Sequence, residues 1–330
     1  MARRRVVIFI QAGVSIALIG YLFAKIDFAS SMGTIRNADP LLLLASLAQL
    51  AILPVLGAFR WQLILRALGG EMRFGPALRF VWIGIFFSQA LPGSVGGDVV
   101  RIWLYWKSGA GHRIAINSVA IERIIMVLSL LILVAAMQPG LVARSESLLT
   151  TWLPFLLLAI AAAGTAILML SDRLVQRFGR WRPFRAIAYL AADTRKAVLN
   201  PVVFIAVTLI SVLAFMNMAV TAWLIALALG LPVTLLDCLV LIPIAQLAST
   251  LPISVGGWGV REGATVVLLA TVGVAAADAL SLSVLWGIAG VLISLPGAFI
   301  WMGGGYRRSD LSQAESFASN EEGKAPSQAS

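Results

Sequence analysis

Six long runs of mostly apolar residues constrain this chain more than any other feature of its sequence. Each run approaches or exceeds the about 20 residues that a helix needs to cross the hydrocarbon core of a bilayer. Of the 330 residues, 60% are hydrophobic and only 12% are charged, which excludes a soluble globular protein and a disordered one. We therefore predict an all-α polytopic membrane protein with about six full spans, at 6–24, 40–59, 115–138, 148–170, 200–228 and 278–302.

Two further apolar stretches, 76–106 and 234–275, are interrupted near their middles. The first contains LPGSVGGD at 91–98, and the second contains LPISVGGWG at 251–259. Because proline and clustered glycine end helices, each stretch predicts two helical pieces around a non-helical link. We interpret both as re-entrant hairpins, since the piece 98–107 would be about 15 Å long, half a hydrocarbon core. Pairs of fully crossing helices joined by tight turns are the alternative, and charge counting does not separate the two.

Basic residues are distributed unevenly among the loops. By the positive-inside rule, 18 arginines and lysines fall in loops on one side and three on the other. The richer side is predicted to be cytoplasmic, which makes both termini cytoplasmic and leaves 306–330 as a disordered cytoplasmic tail. Arginines at 3–5 precede the run 6–24, which we interpret as an uncleaved first helix rather than a signal peptide. The loops counted as cytoplasmic include 60–79 (with Arg60), 107–114 and 171–199.

The two interruptions are copies of one motif. LPGSVGGDVVR at 91–101 and LPISVGGWGVR at 251–261 share eight of eleven residues, at an offset of 160. The order of spans around the motif also repeats, and the basic loops give the two copies opposite orientations. Inverted repeats with broken helices near the midplane recur in transporters. We therefore predict two inverted repeats, 1–140 with hairpin 76–106 and 148–302 with hairpin 234–275.

Each interruption combines a glycine pair with an arginine about one helical turn further on. The glycine pairs leave backbone N–H groups uncovered at the start of a half-helix, whose N-terminus carries partial positive charge. The arginines stand at matching places, and a guanidinium binds phosphate oxygens in a bidentate manner. The alternative is that each arginine pairs with a nearby acid, Asp98 or Glu262, and fixes its hairpin. The predicted lipid-phosphate site comprises Gly96, Gly97, Arg101, Gly256, Gly257 and Arg261.

Further charged residues fall within the predicted membrane segments, where charge is costly and indicates function. Glu122 and Arg123 are adjacent on one helix, so they point about 100° apart and need not pair with each other. Arg123 is predicted either as a third phosphate ligand or as a tie to an acid of a hairpin. Asp98 is interpreted as an N-cap, and Glu262 as a counter-charge to Arg261 or a proton carrier. Structural or charge-balancing roles are thus assigned to Asp98, Glu122, Glu262, Pro92 and Pro252.

The sequence contains no recognisable catalytic, metal-binding or nucleotide-binding pattern. His112 and Cys238 are each the single residue of their type, which excludes a zinc site built from histidine and cysteine. The string GSVGGD lacks the Lys-Ser/Thr of a P-loop and follows no strand. We interpret the net charge of +10 as a match for anionic lipid at the basic cytoplasmic loops. We therefore expect no catalytic residue, metal, cofactor or nucleic-acid partner.

Four strings resemble the lysylphosphatidylglycerol synthase transmembrane-region family: FRWQLILRALGG (59–70), LPGSVGGDVVR, SVAIERIIM (118–126) and LPISVGGWGVREG (251–263). This family includes the lipid-flipping membrane domain of the multiple peptide resistance factors and stand-alone flippase-like proteins. The resemblance covers about 6–302 and implies a flippase-like function in the bacterial inner membrane. No aminoacyl-transferase domain follows residue 302, so we expect that the chain does not itself synthesise lysyl-lipid. The signature positions implied by the resemblance are Pro92, Gly96, Gly97, Asp98, Arg101, Glu122, Arg123, Pro252, Gly256, Gly257, Gly259, Arg261 and Glu262.

The principal functional hypothesis is a lipid flippase-like protein that translocates an anionic phospholipid or a polyprenyl-phosphate lipid and is not an enzyme. The alternative is a membrane enzyme or an accessory subunit in lipid-linked glycosyl or aminoacyl-lipid metabolism. A pure scaffold is a third hypothesis, and intramembrane arginines would be an expensive way to build one. The expected partners are the lipid substrate and anionic lipids at the basic loops, while a homo-oligomer and a partner enzyme both stay open.

Single cysteines at the two predicted tips, in a Cys238→Ser background, test the re-entrant interpretation. We expect Ser94→Cys and Ser254→Cys to react slowly with membrane-impermeant maleimides, each from one face only and from opposite faces, because both tips would lie at mid-membrane depth. Labelling in right-side-out and inverted vesicles measures rate and sidedness together. Rapid labelling of a tip from the face opposite its hairpin's entry would demonstrate full crossings.

Overall fold

The computed structural model describes residues 28–90, 96–142, 148–178, 182–249 and 258–304, and this part of the chain is helical without strands. The predicted first span 6–24, most of both predicted links and the predicted tail 306–330 lie outside the described residues. In chain order the helices are α1 (Phe28–Arg36), α2 (Pro40–Leu50), α3 (Ile52–Ala67), α4 (Phe74–Ala90), α5 (Gly96–Lys107), α6 (His112–Val142), α7 (Leu148–Phe178), α8 (Arg182–Val198), α9 (Pro201–Ala228), α10 (Leu235–Ser249), α11 (Val260–Ala270) and α12 (Ala276–Gly303).

Four helical segments of the described chain are long and apolar enough to cross a membrane. They are Pro40–Ala67, which joins α2 and α3, together with His112–Met137, Pro201–Ala228 and Ala276–Gly303. They confirm a polytopic all-α membrane protein, and they coincide with four of the six predicted spans. The predicted span 148–170 lies within α7.

Two segments that were predicted as loops are partly helical in the structure, so the prediction of a loop was wrong there. Helix α3 continues to Ala67 and α4 begins at Phe74, so Arg60 lies inside a helix rather than in a loop 60–79. The segment 171–199 is also largely helical, because α7 continues to Phe178 and α8 follows as an amphipathic helix. A run of apolar residues ends at the first charged residue. A helix continues further, because its backbone groups bond to one another and one of its faces can still pack against the protein.

Helices α2 and α9 begin with the same local device. Asp39 accepts a hydrogen bond from the backbone N–H of Leu41 at 2.8 Å, and Asn200 accepts one from that of Val203 at 3.2 Å. A proline follows each cap at the first helical position, where its missing N–H removes no intrahelical bond. The two helices begin at residues 40 and 201, an offset of 161 that is close to the 160 of the repeated motif.

Contacts between chain segments sort the helix ends into two groups. At one end, Arg113 at the start of α6 donates to Asp193 of α8 at 2.7 Å. We call this the basic end, because it carries α8 and the loop before α6. At the opposite end, the backbone N–H of Asp39 donates to the carbonyl of Ala228 at 2.9 Å. The loops predicted to share a side therefore lie together in these two places.

The two hairpins open toward different ends of the bundle. Hairpin α4–α5 opens toward the basic end, and hairpin α10–α11 opens toward the opposite end. Their inner ends meet near the middle of α12, where Arg261 packs on Gly287 and Gln89 packs on Gly290. These two glycines are less than one turn apart, about 4.5 Å along the helix. Such an approach from two sides is expected of the predicted inverted repeats, whose relation to a membrane stays a prediction.

Helices α4 and α5 approach each other at Gly84 and Gly97 more closely than a side chain at either position would allow. A Cβ on Gly97 would collide with the carbonyl oxygen of Gly84 and with the hydroxyl of Ser88. A Cβ on Gly84 would likewise lie 3.1 Å from the carbonyl oxygen of Gly97. Glycine at both positions therefore permits a contact of small residues that sets the shape of the hairpin.

Adding a methyl group at this contact should destabilise the protein. We expect Gly97→Ala to cost about 1–3 kcal/mol of unfolding free energy because it overpacks the α4–α5 contact. Gly164→Ala is the matched control: its Cβ would have no atom within 4 Å on α7, and gained helix propensity should add about 0.5–1 kcal/mol. Thermal unfolding of both variants in one detergent gives the comparison. A Gly97→Ala protein as stable as the control would refute the packing role.

Candidate functional site

Glu122 of α6 is almost fully buried, with 1% of its surface exposed, and it lies between two arginines from other helices. Its Oε1 accepts a hydrogen bond from Nε of Arg60 at 2.9 Å, and its Oε2 accepts one from Nη2 of Arg101 at 2.6 Å. Both arginines are buried as well. One carboxylate therefore ties α3 and the hairpin helix α5 to α6 through charge-assisted hydrogen bonds.

The ion pairs continue through Asp98 to Arg123. Asp98 is the third residue of α5 rather than its N-cap, so that interpretation was wrong. Its Oδ1 lies 3.6 Å from Nη2 of Arg101, and its Oδ2 accepts a hydrogen bond from Nε of Arg123 at 2.7 Å. We call the resulting alternation of positive and negative groups the charge row: Arg60, Glu122, Arg101, Asp98 and Arg123.

On α6, the charge row lies well inside the helix rather than at its end. Glu122 is ten residues from the start of α6, about 15 Å along the helix, which is half the thickness of a hydrocarbon core. Glu122 and Arg123 contact different partners, because adjacent residues of a helix point about 100° apart. Arg123 is thus tied to an acid of a hairpin, one of the two roles predicted for it.

Arg101 is held in place by an aromatic side chain as well as by acids. Its guanidinium carbon lies 4.7 Å from the ring centroid of Trp61, and the indole N–H of Trp61 donates to Ser118 at 3.0 Å. The Nε of Arg101 is buried without a hydrogen-bond partner among the described residues. A buried donor without an acceptor is costly, so this atom has a hydrogen bond to offer to a ligand.

In the second hairpin, the charged residues pair with close neighbours in the sequence. Glu262 is 2% exposed, and its Oε1 accepts hydrogen bonds from Arg261, by Nε at 3.1 Å and by Nη2 at 2.5 Å. Its Oε2 accepts one from the backbone N–H of Gly259 at 2.6 Å. Gly259 has φ of +89°, a conformation that favours glycine, and the matching residue of the first motif is Val99. Glu262 is therefore a counter-charge to Arg261, and the proton-carrying alternative stays untested.

A central cavity of about 540 Å³ lies between the two hairpins, and Arg123 and Arg261 both line it. A smaller cavity of about 190 Å³ adjoins it and is lined by Arg101, together with Arg60 and Glu122. Asp98 and Arg123 line both cavities. The predicted phosphate ligands thus divide: Arg123 and Arg261 share the central cavity, whereas Arg101 faces the smaller one.

The remaining predicted residues separate into described and undescribed ones. Gly96 is the first residue of α5, and Gly97 is buried in the contact with α4. Their phosphate-binding role stays a prediction, as it does for the undescribed Gly256 and Gly257. Pro92 and Pro252 also lie outside the described residues.

Arg60 is the functional candidate that sequence reasoning missed. It was assigned to a loop because the apolar window ended at residue 59. The signal that could have found it is the string WQLILRA immediately after it, which continues the helix with mostly apolar residues. A charge flanked on both sides by apolar helix indicates an intramembrane position.

Residues 8–297 match the family described as lysylphosphatidylglycerol synthase TM region. The chain is also similar to a UPF0104 membrane protein of Methanothermobacter thermautotrophicus, at 25% identity over 312 residues. That alignment covers 86% of this chain and 88% of the relative. The family match includes the charge row and the second hairpin.

Removing the charge of Glu122 tests whether the charge row holds the hairpin. We expect Glu122→Gln to lower the unfolding free energy by about 3–5 kcal/mol, because it leaves Arg60 and Arg101 buried without their shared counter-charge. Glu71→Gln, at an exposed position, makes the same chemical change as a control. Thermal unfolding in detergent compares the two variants. Equal stability would mean that the row contributes nothing to the fold.

Proposed function

Since the chain belongs to the lysylphosphatidylglycerol synthase transmembrane-region family and is a multi-pass membrane protein, we propose that it translocates an anionic lipid between leaflets without changing it chemically. The lipid is an anionic phospholipid or a polyprenyl-phosphate lipid. The protein acts in the inner membrane with its basic end toward the cytoplasm, where anionic lipids contact the basic residues.

The observation that carries this proposal is the central cavity lined by Arg123 and Arg261 between the two hairpins. Guanidinium groups bind phosphate oxygens and keep their charge at depth, so they suit a phosphorylated headgroup. The unpaired Nε of Arg101 offers a further donor in the adjoining cavity. A cavity of about 540 Å³ falls in the size range of small-molecule sites, which suits a headgroup rather than a whole lipid.

The arrangement of the hairpins supports movement of the headgroup rather than chemistry on it. Each hairpin opens toward a different end of the bundle and reaches α12 beside the other. Rocking of one repeat against the other would open the cavity to each end in turn, as in other inverted-repeat transporters. The headgroup would cross with the arginines while the hydrocarbon chains stay in lipid. The residues bind and release a phosphate, and no bond of the lipid needs to break.

Transport of labelled lipids in liposomes tests the proposal. We expect the wild-type protein to exchange labelled anionic lipid between leaflets faster than protein-free liposomes do. Arg261→Gln should reduce the rate about tenfold, the effect of losing a hydrogen bond to a charged group. Arg79→Gln, which makes the same change at an exposed position of α4, should leave the rate unchanged.

Mass spectrometry of the liposome lipids completes the experiment. Unchanged lipid composition together with protein-dependent exchange is the expected result. Formation of a covalent product would favour the membrane-enzyme hypothesis. Exchange no faster than in protein-free liposomes, for phospholipid and polyprenyl-phosphate alike, would overturn the proposed transport.

A further inference from the structure

Asp193 of α8 is a buried carboxylate at the basic end, with 3% of its surface exposed. Arg113 of α6 donates to it twice, from Nε to Oδ2 at 2.9 Å and from Nη2 to Oδ1 at 2.7 Å. Asn117, one turn further along α6, donates from Nδ2 to Oδ2 at 2.7 Å. Two residues of one helix thus hold the carboxylate of another, and the arginine does so in the strong bidentate geometry. We call these three residues the α6–α8 clamp.

Two further side chains of α8 contact the clamp. The guanidinium carbon of Arg113 lies 4.3 Å from the ring centroid of Tyr189, one turn before Asp193. Nζ of Lys196, one turn after Asp193, lies 3.7 Å from its Oδ1. The side chains of Arg113 and Lys196 are 41% and 59% exposed, so the positive groups reach water while the carboxylate does not. Asp193 therefore loses most of its hydrogen bonds if α8 separates from α6.

The clamp joins the two predicted repeats, because α6 belongs to the first and α8 to the second. An apolar cluster crosses the same boundary beside it. In that cluster, Ile64 of α3 and Ile121 of α6 pack with Ala197 of α8 and Val207 of α9, and all four residues are buried. A movement of one repeat against the other at this end therefore has to separate both the clamp and the apolar cluster.

The clamp lies between the buried charges and the outer surface of the basic end. Arg113 is nine residues before Glu122 on α6, which is about 13.5 Å along the helix. Glu122 and Arg60 line the smaller cavity, and Ile64 lies one turn beyond Arg60 toward the basic end. A path along α6 from this cavity to the basic end thus passes the apolar cluster and then the clamp.

At the opposite end, the repeats are joined by contacts of another kind. The backbone N–H of Asp39 donates to the carbonyl of Ala228, and Oγ1 of Thr34 donates to Oδ1 of Asp278 at 3.1 Å. Both of these hydrogen bonds have an uncharged donor, whereas the clamp joins a guanidinium to a carboxylate. Each end of the boundary therefore has a polar contact that a substitution can remove separately.

We propose that the α6–α8 clamp controls access to the cavities from the basic end, and that releasing it shifts the protein toward a state open at that end. This inference rests on the proposed function, because rocking of the repeats is the movement that the clamp opposes. In alternating access the two openings exclude each other, so a contact that closes one end favours opening of the other. None of the three clamp residues lines either cavity, so the clamp acts on conformation and not on the bound headgroup.

Cysteine accessibility measures the two openings separately in the full-length protein. Leu247→Cys, at a residue that lines the central cavity, is made in a Cys238→Ser background. A small membrane-impermeant methanethiosulfonate is applied to right-side-out and to inverted vesicles, and Ser108→Cys, at an exposed position before α6, reports which vesicles expose the basic end.

Removing the charge of Asp193 is the main test. We expect Asp193→Asn to raise labelling of the cavity cysteine from the basic end about tenfold, as loss of charge-assisted hydrogen bonds implies, and to lower labelling from the opposite end. Faster labelling from both ends would indicate a loosened fold and overturn the proposal, as would unchanged labelling.

Variants of Arg113 test whether the two charges act through one contact. Arg113→Gln should match Asp193→Asn, and the double variant should exceed neither. Arg113→Lys keeps the charge without the bidentate geometry and should give an intermediate rate, so it replaces Asp193→Asn if that variant does not fold. Arg66→Gln makes the same change at an exposed position of the same end and should label like the wild type. Additive effects of the two single substitutions would refute the shared contact.

The opposite end provides the reciprocal variant. Thr34→Val removes the hydroxyl that donates to Asp278 and should raise labelling from the opposite end without raising it from the basic end. A rise from the basic end in this variant would contradict separate control of the two openings. These rates do not depend on lipid exchange, so the two proposals fail separately. A shift in access without leaflet exchange would leave the clamp intact and defeat the proposed transport, whereas exchange with unchanged access in Asp193→Asn would do the reverse.

Discussion

The carboxylate of Glu122 is the contact on which the rest of the site depends. Its two oxygens receive Arg60 from α3 and Arg101 from α5, so one residue fixes the relative positions of three helices. Burying so many charges is expensive, and apolar side chains of similar volume would often stabilise a bundle equally well. The structure thus keeps a costly set of charges about 15 Å along a helix that is long and apolar enough to cross a membrane. That cost is understandable if the arginines serve a ligand as well as the fold.

The two hairpins contain related sequence motifs whose charged residues make different contacts. In the first, Asp98 and Arg101 reach residues of another helix, whereas in the second, Arg261 contacts the neighbouring Glu262. Gly259 explains part of the difference, since its positive φ turns the backbone N–H toward Glu262 where the first motif has a valine. The first hairpin is consequently joined to the bundle by charge, and the second is joined by packing of Arg261 and Trp258 on α12.

Sequence reasoning predicted the features that arise from local pattern and missed those that arise from tertiary contact. The long apolar helices and the interruption of both hairpin stretches follow from hydropathy, proline and glycine. The different directions of Glu122 and Arg123 follow from helical geometry alone. The pairing of Arg101 with Glu122, 21 residues away, does not follow from spacing, and proximity in sequence favoured Asp98 instead. Helix α8 was predicted as a loop because an amphipathic helix has no apolar run to detect.

The alternating order of the charge row has a consequence for how such proteins can diverge. Each internal member of the row touches a charge of opposite sign on both sides, so a substitution at one position leaves neighbours with unmatched charge. Substitutions at these positions should be strongly non-additive, with second changes restoring what first changes remove. Among relatives, we expect positions 60, 98, 101, 122 and 123 to co-vary as a set. A lineage that changes one member of the row is therefore expected to change a neighbouring member as well.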